Sequence, residues 1–131
     1  MSFFSINELT RSETARAKKI DNTPPEEARE RLQRLIDKVL DPAREAIGIP
    51  IYVNSGYRCA KLNGAVGGVP TSQHTLGEAA DLDTRSREGN KKLFAWIADN
   101  LEFDQLINEN NYAWIHVSYR IGRNRNQVLR L

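Results

Sequence analysis

Cysteine occurs once, at Cys59, in a chain of 131 residues. No disulfide can form within the chain, and its thiol content gives no sign of an oxidising compartment. A lone cysteine can act as a nucleophile only with a base to activate it, and none stands beside Cys59. No apolar run approaches the roughly 20 residues of a transmembrane helix, so no membrane partner is expected. The opening stretch, Met1-Ser2-Phe3-Phe4-Ser5-Ile6-Asn7-Glu8, lacks a basic leader and reaches a carboxylate before an apolar segment forms. That predicts synthesis in the cytoplasm without a signal peptide. Charge of one sign is also scarce. The net charge of +2 is too small to argue for nucleic acid, and no nucleic-acid motif accompanies it. Arg120, Arg123, Arg125 and Arg130 gather near the C-terminus. They read either as a solvated rim around the last strand or as contacts for an anionic substrate. Repeats and low-complexity tracts are missing too, which predicts one domain over residues 1–131.

What is present has the composition of a globular protein, with 40% hydrophobic and 27% charged residues. Residues 1–50 read as mainly helical. Ser5 with Glu8 has capping-box spacing, and Thr23-Pro24-Pro25-Glu26 repeats the signal with proline at the first helical position. Ala28, Leu32, Leu35, Ile36, Val39 and Leu40 then form one apolar stripe. Pro42 predicts an end or a kink, and Gly48 with Pro50 closes the segment. From Ile51 the pattern shortens. Ile51-Tyr52-Val53 reads as a strand stopped at Asn54-Ser55-Gly56, and Cys59 to Val66 as a helical turn. Ala79 to Leu82 reads as a second strand, and Ser86 as the cap of a helix carrying Leu93, Phe94, Trp96 and Ile97. Phe103 to Glu109 and Trp114 to Tyr119 form a hairpin around Asn110-Asn111-Tyr112-Ala113. Helices followed by a small, mostly antiparallel sheet over residues 51–131 make an α+β class.

Histidine is as scarce as tryptophan: there are two, His74 and His116. Both lie among turn and strand signals, and Asp81 follows the first in the run His74-Thr75-Leu76-Gly77-Glu78-Ala79-Ala80-Asp81. Two imidazoles and a carboxylate are a hydrolytic zinc set, since three protein ligands leave a fourth position for water. By spacing alone, ordinary surface or core histidines fit equally well. The surrounding residues narrow the choice. Ser72-Gln73-His74 with Gly77, Ala79 and Asp81 gives S-x-H-x-x-G-x-A-x-D. Ser55-Gly56-Tyr57-Arg58 with Asn63 stands upstream, and Trp114-Ile115-His116-Val117-Ser118 downstream. A turn between His74 and Asp81 favours Gly77, and close packing beneath an ion favours Ala79 and Ala80.

In order and spacing these three blocks resemble the zinc D-Ala-D-Ala carboxypeptidases and related cell-wall peptidases, which share a fold with the Hedgehog signalling domain. The resemblance runs from the N-terminal helices to Tyr119. It implies one Zn2+ per chain on His74, Asp81 and His116, and helices packed on the sheet that carries the metal. The implied substrate is the stem peptide of bacterial peptidoglycan, and the alternative is a catalytically weak, zinc-stabilised wall-binding module. In many relatives the base is a carboxylate just ahead of the last histidine, where this chain has Ala113. Glu109 is the replacement: if it pairs with Trp114, it shares a face with His116 at a diagonal of roughly 7–8 Å. A register slip of one residue turns it away and leaves an exposed strand-end glutamate. For Arg58 two readings stand, polarising the scissile carbonyl or tying down the Ser55-Gly56-Tyr57 turn. Ser72 and Gln73 orient His74 or line the cleft, and Trp114 packs or lines a subsite. Asp83 reads as a solvated strand end or a further carboxylate near the metal, and Asp104 as a brace. A monomer is expected, acting on the cell wall after release, as a phage or prophage lysis protein would.

Overall fold

The computed structural model describes residues 2–131. Two short helices open it, α1 (Ile6–Thr10) and α2 (Glu13–Ala17), each started by a serine whose hydroxyl accepts a backbone N–H: Ser5 from Glu8, and Ser12 from Ala15. Helix α3 (Glu26–Leu35) begins differently from expectation. Pro25 occupies the cap with no side-chain hydrogen bond, and Thr23 turns back to Asp21, 2.6 Å from its carboxylate. The start relies on the fixed φ of proline and on Glu26 and Glu27, whose charges suit a helix N-terminus.

Pro42 neither ends nor visibly breaks the helical run. Between α3 and α4 (Asp41–Ile47) the backbone widens to a π turn over Ile36–Leu40. In a regular α-helix the ring of Pro42 would strike the carbonyl one turn back. The wider turn relieves that contact, and Pro42 falls in the first turn of α4, where its missing N–H goes unneeded. Gly48, at φ 69°, then stops α4 in the left-handed conformation.

The sheet has the order β1-β2-β4-β3-β5. Its strands are β1 (Tyr52–Ser55), β2 (Ala79–Asp83), β3 (Gln105–Glu109), β4 (Trp114–Ser118) and β5 (Gln127–Arg130). All pairs are antiparallel except β3 with β5. Strand β1 runs on to Ser55 through a bulge after Val53, further than its turn-like residues suggest. Strand β5 is a correction. The C-terminal arginines do not surround a last strand at β4, because a parallel edge strand follows it. With Val128 48% exposed, β5 has too little buried alternation to announce itself. Helix α5 (Ala60–Ala65) and a 3-10 turn (Gln73–Leu76) fill the β1–β2 connection, and α6 (Arg87–Asn100), capped by Ser86, joins β2 to β3.

The pleat sorts the strand residues onto two faces. Ala80, Leu82, Leu106, Ile115 and Val117 are fully buried and pack with Leu32, Leu35, Leu93 and Ile97 of the helices in one apolar core. Each such leucine or isoleucine contributes about 1.5–3 kcal/mol by leaving water. Asp81, Glu109, Trp114 and His116 alternate onto the other face. Mixed helices on a five-stranded sheet make this an α+β protein. Gly77 (φ 78°) makes the turn into β2, and a Cβ there would sit 2.6 Å from the carbonyl oxygen of Ala28. Any side chain at Gly77 would push the 3-10 turn off α3.

Candidate metal centre

Register places the first two members of the site. Asp81 of β2 lies directly opposite His116 of β4, so their side chains leave the same face of the sheet as neighbours. His74 arrives from the 3-10 turn, where Ser72 caps the turn by accepting the His74 N–H at 3.2 Å. One donor atom from each of His74, Asp81 and His116 lies within 4.8 Å of the others. His116 Nδ1 is 3.0 Å and His74 Nε2 3.4 Å from Asp81 Oδ1. Donor atoms around a tetrahedral zinc stand roughly 3.3 Å apart at the usual bond lengths.

The donor chemistry fits a cation. His74 Nδ1 lies 2.7 Å from the carbonyl oxygen of Gly56. A carbonyl only accepts, so Nδ1 carries the proton, and in the neutral ring Nε2 presents a lone pair to the Asp81 carboxylate. A lone pair and an anion face to face need a positive centre between them, either a proton, which turns the contact into a hydrogen bond, or a metal ion. Burial disfavours ionisation of Asp81, but hydrogen bonds from His116 and His74 outweigh it and hold the carboxyl well below the usual range. The site is thus set as an anionic ligand with two nitrogens aimed at it.

The other expected residues divide. Arg58 ties down the turn that carries Ser55 and also stands beside Asp81. Its Nε donates to Ser55 Oγ at 3.0 Å, its Nη1 to Asn63 Oδ1 at 3.1 Å, and its Nη2 stands 3.6 Å from Asp81 Oδ2. Burial lowers the guanidinium pKa and Asp81 opposes that shift. Gly68 lies flat against this pair, since a Cβ there would be 2.1 Å from Asn63 Oδ1. Glu109 pairs with Trp114, and Ile107 with His116, so Glu109 is on the metal face, diagonal to His116 and half-buried. Trp114 is half-buried on that face, outside the apolar core.

Three expectations need correcting. Gln73 does not orient the His74 ring; its amide donates to Asp104 Oδ2 at 2.9 Å and Glu78 Oε1 at 3.3 Å. Ala80 is not beneath the ion but in the apolar core, leaving Ala79 as the small residue on the metal face. Asp83 shares the parity of Asp81, yet its Oδ1 accepts from Arg85 N and Asn90 Nδ2, bracing the loop after β2. The group that does orient His74 is a backbone carbonyl, Gly56, and sequence composition carries no signal for it.

Asp104 is the brace the sequence suggests, but its partners carry no sequence signal. Asp104, only 1% exposed, accepts from Arg125 Nε at 2.8 Å and Nη2 at 2.9 Å as well as from Gln73, while Glu78 binds Arg120 at 3.0 Å. Two of the C-terminal arginines therefore close over buried carboxylates. Hydrogen bonds from Arg125 lower the Asp104 pKa to about 2. The depressed value means its stabilisation is complete above about pH 4 and fades as pH falls towards 2. Discounted for the exposed Arg125, it amounts to about 1–2 kcal/mol. Asp104→Asn is expected to remove that acid-sensitive increment and to cost about 1–3 kcal/mol at neutral pH. Urea unfolding of both proteins from pH 2 to 7 checks it; parallel stability curves would refute the brace.

Residues 2–118 match the family model described as Peptidase M15. No curated protein matches the chain.

Proposed function

Since the chain belongs to the M15 peptidases, the zinc D-Ala-D-Ala carboxypeptidase-like family, we propose that it hydrolyses peptide bonds in the stem peptides of bacterial peptidoglycan. The reaction would be that of a D-Ala-D-Ala carboxypeptidase or an endopeptidase. The observation that carries this reading is the convergence of His74, Asp81 and His116 on one sheet face. The helices-on-sheet arrangement supports a Hedgehog/DD-peptidase-like fold. One ion per chain, working as a monomer on the wall, completes the proposal. Among the described residues, no helix is long and apolar enough to cross a membrane.

Zinc held by those three side chains would supply a Lewis acid and make water acidic enough to ionise near neutral pH. The remaining work falls to the chain. Glu109, diagonal to His116, takes the proton of the attacking water and returns it to the leaving amine. Arg58 has five N–H donors, of which Ser55 and Asn63 each engage one. An N–H left free can bind the scissile carbonyl, with Asp81 fixing the guanidinium in place. Trp114, directly opposite Glu109 on the same face, would line a substrate subsite. Ser72 keeps the His74 turn closed.

Ala113 supports a second reading, a wall-binding module that turns over little, because it leaves no carboxylate just ahead of His116. A digest separates the two. Purified, zinc-loaded protein incubated with bacterial peptidoglycan is expected to release stem-peptide fragments detectable by mass spectrometry, and their masses identify the bond. Binding to the sacculus with no fragment released would overturn the peptidase.

A further inference from the structure

A groove of about 290 Å3 opens between α3 and the segment after β4. Arg31 and Arg34 line it from α3, one helical turn apart and hence neighbours on one helix face. Arg120 and Arg123 line it from the C-terminal segment, and Leu76 (38% exposed) and Ile121 (55% exposed) add apolar surface. Glu78 is the one acidic residue in the lining, and Arg120 already holds it at 3.0 Å. Arg31 donates to the Leu76 carbonyl at 3.1 Å, which fixes its guanidinium at the groove. Among the described residues neither Arg34 nor Arg123 has an ion-pair partner. Four guanidinium groups thus surround a small volume with one carboxylate to offset them, and their mutual repulsion is relieved by a bound anion.

We propose that this groove binds a phosphate-ester chain. A phosphate diester keeps a full negative charge at neutral pH and presents two unesterified oxygens with several lone pairs, so one group can accept from arginines arriving on two different elements. The carbon segments between successive phosphates match Leu76 and Ile121. The groove shares none of its lining with His74, Asp81, His116, Arg58 or Glu109, so it is a separate binding site that would hold the protein on a phosphate-bearing polymer.

The test uses the full zinc-loaded chain and reads binding alone, so its outcome is independent of peptidase activity. Isothermal titration with a poly(glycerol phosphate) oligomer is expected to show binding that weakens as salt rises. Arg34→Gln with Arg123→Gln should weaken it about tenfold or more, two charge-assisted contacts being lost. Lys91→Gln with Lys92→Gln, which removes the same charge from exposed positions on α6, should leave it unchanged. Equal losses in the two double variants would reduce the effect to bulk charge and overturn the site. Tighter binding of poly-glutamate, or of a single-stranded oligodeoxynucleotide, would overturn the phosphate-ester assignment in favour of carboxylates or nucleic acid. In the unaltered chain the methyl resonances of Leu76 and Ile121 should shift on titration; silence there would overturn it as well.

Discussion

Glu109→Gln is expected to reduce peptidoglycan-peptide turnover by about 10²–10⁴-fold, the usual worth of a positioned proton carrier, while bound zinc stays undiminished. Glutamine keeps the size and the hydrogen-bonding reach of glutamate but cannot accept a proton at neutral pH. The separation of the two readouts follows from position. Glu109 is not among the three converging donors, and the pairing of Glu109 with Trp114 sets it diagonal to His116. Strand parity makes this a sharp assignment, since a shift of one residue would send the side chain to the apolar core. Turnover within a fewfold of the unaltered protein would remove Glu109 from the chemistry. Zinc lost along with activity would instead make it part of the metal's support.

His74→Ala and His116→Ala are each expected to drop bound zinc well below one per chain and to abolish turnover. The drop in affinity should exceed the 10–100-fold typical of losing an outer-shell partner of a ligand, because a donor atom itself is gone. Each substitution also leaves Asp81 with one imidazole instead of two, so part of what keeps its buried carboxylate ionised disappears. Elemental analysis of dialysed protein gives the answer. Undiminished zinc in both variants would mean that the ion sits elsewhere. A chelator should lower the melting temperature of the unaltered chain and have a smaller effect on either variant.

The convergence of His74, Asp81 and His116 was legible because histidine is rare here and each ligand sits in a distinctive block of small and polar residues. The Glu109–Trp114 pairing was legible because a short loop and a period of two leave few registers. Ser5 and Ser86 were legible as caps because the physics is local: a hydroxyl and an N–H three residues on. What stayed hidden depends on contacts between distant stretches. Every residue has a backbone carbonyl, so nothing marks Gly56 as the partner of His74 until the chain folds. Asp104 and Arg125 are acid and base in a sequence rich in both, and their pairing is set by the loop before β5. That strand is an exposed edge, without the buried alternation that identifies the inner ones. Thr23 has the motif of a cap, but α3 starts at Glu26 with Pro25 in the cap position, which leaves Thr23 outside the helix. Proline predicts an end or a kink for an α-helix, and nothing in the sequence marks the π turn that lets the helical run continue past Pro42.

Gly56 has a further consequence through its other neighbour. A Cβ on Gly56 would lie 2.2 Å from the carbonyl oxygen of Leu9, and that same oxygen accepts the N–H of Tyr57 at 2.7 Å. The opening helix therefore presses on the peptide unit that aims the first imidazole, although it contributes no ligand. Damage to that helix, by truncation or by a bulky graft at Leu9, would surface as a poorly held metal with all three donors still present. Because Leu9 is also fully buried in the core, such lesions would cost stability as well as metal affinity.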